Sequence, residues 1–295
     1  MSRLVTRCLA LILLVFLSLA GCRREVVAPG DPVAAVKGMA AAVRDNDLVR
    51  YSRLSMPPKL HQQMEARWHA NLALAPPPTA AQERDYARWM ARMTAADAER
   101  NLYRSFDKRL RKLESEINAQ WPLMKATGGI FINGLIQANE DLSPAQKGHA
   151  KAVGTALLGW TTPALLVDRA KARQAISVVA STARSLDLDT LQQARQLEMI
   201  PALEKGGQVL KGFKQIGRIY GVDLDASLAG VDARVVAVRG EVATMEVRYP
   251  LLGTAVKFKL DLIRRDGRWY SADAVRSAEA ELARPPLAAG QQKAP

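Results

Sequence analysis

Three histidines and two cysteines are the side chains best suited to metal ligation or nucleophilic attack, and their spacing supports neither chemistry. His61 and His69 lie eight residues apart on one predicted helix. They share a face there but are separated by about 12 Å of rise, too far for one zinc ion with bonds of about 2.1 Å. His149 stands alone near a predicted helix start, and all three read as surface or capping residues. No His-Glu-x-x-His, Gly-x-Ser-x-Gly or phosphate-loop spacing occurs. Gly128, Gly129 and Gly134 follow no strand, so they form no dinucleotide fingerprint. The expectation is a chain with no catalytic residue, no metal and no cofactor.

Charge offers a different chemistry. Lys and Arg number 42 against 29 Asp and Glu, a net charge of +13. Arg84, Arg88 and Arg92 recur every four residues, as do Arg100, Arg104, Lys108 and Lys112. On helices each set makes a ridge suited to lipid phosphates or an acidic partner, although Asp85, Asp97, Glu99, Asp107 and Glu114 interleave with it. Two charge-free stretches, Gly128–Ala138 and Val153–Val167, read as buried core helices, with an apolar-ligand groove as the alternative.

The amino terminus fixes where these features act. Arg3 and Arg7 precede an apolar run of about 13 residues, Cys8–Ala20, and Leu19-Ala20-Gly21-Cys22 places small residues directly before a cysteine. That order is the order of a secretory signal peptide, and the run is shorter than the ~20 residues of a membrane span. The segment resembles the lipobox of bacterial lipoproteins. The resemblance implies that residues 1–21 are removed and that Cys22 carries diacylglycerol and an N-acyl chain. With Arg23 where an inner-membrane retention signal would place Asp, it also implies an outer-membrane anchor facing the periplasm of a Gram-negative bacterium. Cys8 leaves with the signal and Cys22 is acylated, so no free thiol remains. A periplasmic address also argues against a nucleic-acid partner.

An apolar share of 48% excludes a disordered chain, and the elements that position the candidate residues fall into blocks. Residues 22–30 form a tether. Asp31-Pro32 reads as an N-cap with Pro at the first helical position, opening a helix to about Asn46 with Val33, Val36, Ala40 and Val43 on one face. A second helix starts at Ser55–Pro58 and carries Leu60, Met64 and Trp68, before Ala75-Pro76-Pro77-Pro78 ends this block at residue 78. Residues 79–228 are helical throughout, six or seven helices in an antiparallel bundle. Starts are marked by Thr79 with Gln82, Thr94 with Asp97, Ser143-Pro144 with Gln146, Thr162-Pro163, and Asp189 with Gln192. Breaks are expected at Trp121-Pro122 and Ile200-Pro201.

Residues 229–278 read as four antiparallel strands, Val235–Arg239, Glu241–Tyr249, Ala255–Arg265 and Arg268–Val275. Val256, Phe258, Leu260 and Leu262 alternate with Lys257, Lys259 and Asp261, giving one dry and one wet face. Arg239-Gly240, Leu252-Gly253 and Asp266-Gly267 supply the turns. Residues 279–295 read as a disordered tail. The fold class is therefore α+β: a C-terminal four-stranded antiparallel meander packed by N-terminal helices, with a large helical insertion.

The two ends of the chain resemble a ketosteroid-isomerase-like α+β roll of the cystatin-like type. The likeness rests on the Pro-initiated helix with Val36-Lys37 and Asn46-Asp47, and on Gly240-Glu241-Val242-Ala243, Lys257-Phe258-Lys259-Leu260 and Asp266-Gly267-Arg268-Trp269. It implies a cone-shaped pocket on the concave face of the sheet, near Tyr249, Trp269 and Tyr270. Three functions stay open at this point. The leading one is a non-catalytic binding module that holds an envelope protein or an apolar ligand beside the membrane. The others are an enzyme or small-ligand carrier built on the pocket, and a structural envelope protein using the basic ridges on anionic surfaces.

Overall fold

The computed structural model describes residues 26–140 and 142–285. Arg3, Arg7, Cys22 and Arg23, and residues 286–295 of the expected tail, lie outside them. The Asp31 carboxylate accepts the Ala34 N–H at 2.7 Å and opens α1 (Pro32–Arg44) where the sequence places it. The helix buries Ala35, Val36, Met39 and Ala42 in the core, while Ala40 and Val43 of the expected face line a cavity. Asp47 caps a further helix, α2 (Leu48–Ser55), by accepting the Arg50 N–H at 2.8 Å. Sequence periodicity passes over this helix because eight residues span barely two turns. α3 (Pro58–Leu74) then runs up to the proline triplet.

Seven helices follow among the described residues: α4 (Ala80–Thr94), α5 (Ala98–Ala138), α6 (Pro144–Trp160), α7 (Pro163–Leu166), α8 (Arg169–Leu186), α9 (Leu191–Arg195) and α10 (Met199–Ile219). The capping boxes Thr79/Gln82 and Ser143/Gln146 form with both reciprocal bonds. The expected box at Thr94 does not. Thr94 is the last residue of α4, and its hydroxyl donates to the Met90 carbonyl at 3.0 Å. The box near residue 190 is Thr190/Gln193, one position after the expected pair.

No break occurs at Pro122, which lies inside the 41-residue α5. Proline removes one helical hydrogen bond at a local cost of about 3 kcal/mol, but here the helix is held on both sides of the defect. Upstream, Arg184 pairs with Glu99, and Arg169 with Asp107 and Glu114. Hydrogen bonds from Arg184, the largest cause, hold the Glu99 carboxyl down at about 2. Downstream, α5 lies so close to α6 that a Cβ added to Gly154 would come within 3.2 Å of Ile132 Cγ2.

After α11 (Leu224–Ala229), four strands form a meander in chain order: β1 (Asp232–Arg239), β2 (Val242–Leu251), β3 (Thr254–Arg265) and β4 (Arg268–Ser271). Both residues of Leu252-Gly253 and of Asp266-Gly267 have positive φ, as the tight hairpins require. Val256, Phe258, Leu260 and Leu262 face the same side as their partners Tyr249, Val247, Met245 and Ala243. β4 stops at Ser271. Ser271 caps α12 (Ala272–Ala283), which occupies residues read from sequence as strand and as tail. Asp273, Ala274 and Ala278 favour the helix once a cap is present.

The main core joins Val36 and Met39 of α1, Leu54, Met245, Leu262 and Tyr270. The segment before α1 covers the free edge of β4: the Trp269 N–H donates to the Pro29 carbonyl at 3.1 Å, and the Arg268 guanidinium to that of Ala28 at 2.8 Å. The molecule is thus of the α+β class, its antiparallel sheet packed by the N-terminal helices.

Candidate functional site

Between the inward face of the sheet and the surrounding helices lies a cavity of about 920 Å³. Strand alternation sends Val247 and Tyr249 from β2, and Phe258 and Leu260 from β3, into it. Val36, Met39, Ala40 and Val43 of α1 form the facing wall, and Leu224 and Leu228 of α11 close one side. The N-terminal turns of α6 and α12 bring the polar groups, among them Ser143, Gln146, His149, Asp273 and Arg276. Gln146 links the two helices: its Oε1 accepts the Ser143 N–H at 2.8 Å, and its Nε2 donates to Asp273 Oδ2 at 3.1 Å.

His149 is the chemical focus of this cavity. Its Nε2 lies 2.6 Å from the Tyr249 hydroxyl. Its ring stacks on Phe258 with centroids 4.1 Å apart and 15° between planes, and meets Tyr249 edge-on. Burial lowers the His149 pKa and raises that of Tyr249, so both are uncharged at neutral pH. Between them the neutral pair has two donors and at least two acceptors. With either tautomer the internal bond uses one donor and one acceptor, and one donor remains for a ligand. Such a pair can orient a hydroxyl, carbonyl or ester in a chamber whose lining is mostly apolar.

The structure sorts the expected site residues. Tyr249 lines the cavity, whereas Trp269 and Tyr270 do not. Both are buried core residues, because the N-terminal segment and the helices cover β4. His69 is exposed as expected, with Nδ1 2.7 Å from Glu198 Oε1. The surface reading fails for the other two histidines. His61 is buried, with Nε2 lacking a hydrogen-bond partner among the described residues, and desolvation followed by the Arg53 charge lowers its pKa. His149 is half-buried in the cavity wall.

Arg84, Arg88 and Arg92 lie exposed along α4, Arg88 paired with Asp85. Arg100, Arg104 and Lys108 lie exposed along α5 with no ion pair to a described residue. The charge-free stretch 128–138, expected in the core, has Ile130, Phe131 and Leu135 exposed instead. Among the described residues, no three His, Cys, Asp or Glu side chains gather to hold a metal ion.

His149 was missed because its partners, Tyr249 and Phe258, lie about a hundred positions away. The available signal was Tyr249 itself. It falls on the dry parity of β2, where a phenol needs a polar partner, and three histidines are few enough to test in turn.

Burial of neutral His149 makes the folded state bind a proton less readily than the unfolded chain. Its contribution to stability is therefore complete above the ordinary pKa of about 6.5 and is lost as pH falls below it. Urea unfolding of the His149→Gln variant should show a clearly smaller drop in stability between about pH 7.5 and pH 5 than the parent chain. Part of the drop remains, because His61 has the same sign. Parallel pH curves for the two proteins would mean that His149 is solvated.

Compared with known proteins, the chain matches no family model, no curated protein and no solved structure.

Proposed function

We propose that this protein is a lipid-anchored binding module that holds an apolar or amphipathic small molecule in the chamber between its sheet and helices. The observation that carries the reading is the chamber: about 920 Å³, walled mostly by aliphatic and aromatic side chains, with the His149–Tyr249 pair, Lys214, Asp273 and Arg276 among its polar lining. Ligand sites of this kind measure about 300–1,000 Å³ and combine apolar walls with a few placed polar groups. The occupant it fits has an alkyl or ring body and one uncharged oxygen function for the pair.

The likeness of the chain ends to the ketosteroid-isomerase-like roll supports a chamber at this place. The basic residues Arg3 and Arg7, the apolar run and Leu19-Ala20-Gly21-Cys22 support acylation at Cys22 and an outer-membrane, periplasm-facing address. A bilayer anchor places such a module beside a source of apolar ligands.

Fluorescence titration with N-phenyl-1-naphthylamine tests the chamber. Saturable binding is expected, and Ala40→Trp, which pushes an indole into the chamber from α1, should weaken it by about tenfold or more. Ala40→Val should have a much smaller effect. Non-saturable binding, or equal affinity in the Trp variant with its helical circular dichroism intact, overturns the proposal.

A further inference from the structure

The distal half of α5 exposes large apolar side chains to solvent: Leu123 is 69% exposed, Ile130 76%, Phe131 64% and Leu135 57%. Surfaces of this kind mark interaction sites, and this one differs from the ligand chamber in place and shape. At about 100° per residue the exposed side chains from Ile130 round to Leu135 cover roughly 140° of the helix. That is broader than the narrow seam of a helix pair. From Leu123 to Leu135 the face runs about 18 Å.

Charge narrows the choice of occupant. Between Glu116 and Glu140 the chain has no acidic residue, and Lys125 is the only cation. Upstream, exposed Lys108, Arg109 and Lys112 lead into the same face and outnumber Glu116, the exposed carboxylate that shares it. Lys112 and Ile130 are separated by five whole helical turns and share one azimuth. No helix among the described residues is long and apolar enough to cross a membrane, so the face suits an in-plane position with cations at the headgroups.

We infer that the distal half of α5 docks on an anionic phospholipid bilayer, with Leu123, Ile130 and Phe131 in the acyl boundary and Lys108 and Lys112 against the phosphates. This seat does not depend on how Cys22 is modified. It fixes the rotation of the body against the bilayer, which attachment through the N-terminal residue alone does not.

The test uses the full chain with Cys8→Ser and Cys22→Ser, carrying a single nitrobenzoxadiazole label at Ile130→Cys. Leu123→Cys serves as a second position and Val209→Cys on α10, 49% exposed, as the control. The label reports its own depth however the chain is tethered. With phosphatidylethanolamine–phosphatidylglycerol vesicles, labels at 130 and 123 should brighten roughly twofold or more and be quenched by spin-labelled acyl chains. The label at 209 should do neither. Phosphatidylcholine vesicles or high salt should weaken the response. An unchanged label overturns the inference. So does brightening without vesicles that grows with protein concentration, which identifies a second copy. A label already bright in dilute solution identifies a covering segment of the same chain and overturns it equally.

Discussion

Replacing Cys22 with Ser should yield a chain that carries no acyl group and no longer sediments with the outer membrane. This is the largest effect expected of any single substitution here. One myristoyl chain gives only weak, reversible membrane binding, with an association constant of about 10⁴ M⁻¹, while two signals already anchor stably. Three acyl chains on Cys22, as the lipobox resemblance implies, would place the parent protein far beyond that threshold. The α5 face is a peripheral contact and does not replace them. Mass spectrometry of the N-terminal peptide gives the decisive reading. The parent chain should begin at Cys22 with its lipid mass, and the variant should show neither that start nor that mass. A parent chain that begins elsewhere, or lacks acyl groups, removes the anchor from the proposed function and leaves the chamber untouched.

Asp225→Ala should destabilise the fold by about 2–3 kcal/mol. Lys214 on α10 is 3% exposed, and its ammonium donates to the Val43 and Arg44 carbonyls at the end of α1 and to Asp225. The Val43 carbonyl also accepts the Asn46 N–H at 3.2 Å, whereas the Arg44 carbonyl takes the lysine in place of a helical donor, so Lys214 serves as a cap reached from another part of the chain. Removing Asp225 leaves a buried cation without its counter-charge. Breaking such a pair costs about 3–5 kcal/mol. The lower figure is expected because the Asp225 side chain is 32% exposed and also pairs with Arg218.

Lys214→Met should cost a similar amount, because it leaves the Arg44 carbonyl without its donor and Asp225 without its buried partner. The double variant Lys214→Met with Asp225→Ala should cost less than the sum of the two single changes, since a buried pair replaced by apolar groups is often nearly neutral. Chemical denaturation of the four proteins measures the coupling. Additive losses would show that the pair does not act as a unit.

Local chemistry made much of this fold readable. Asp31-Pro32, the two boxes at Thr79 and Ser143, and the Leu252-Gly253 and Asp266-Gly267 turns each depend on residues within four positions, and each forms as the sequence predicts. Readings failed where distant partners decide. Pro122 breaks a helix unless other elements hold both halves, and here Arg169, Arg184 and α6 do so. Ser271 ends β4 by capping α12, a choice that alternation along Arg268–Val275 does not announce.

The site shows the same division. Tyr249 was placed at the pocket by the roll resemblance, whereas its pairing with His149 depends on how α6 is laid across the sheet. The roll resemblance set Trp269 and Tyr270 beside a pocket, but the segment at Ala28 and Pro29 and the helices cover β4 and bury both in the core. Ile130, Phe131 and Leu135 read as core because composition records hydrophobicity without recording whether anything packs against it.

The chamber draws its lining from Val36 near one end of the described chain to Arg276 near the other, with His149 between them. No fragment shorter than residues 36–277 contains it, and deleting the intervening helices as a cassette would strip Tyr249 of its imidazole. Protein engineers seeking a minimal version must therefore keep both termini and the middle together, and proteolytic nicking anywhere between them bears on ligand retention.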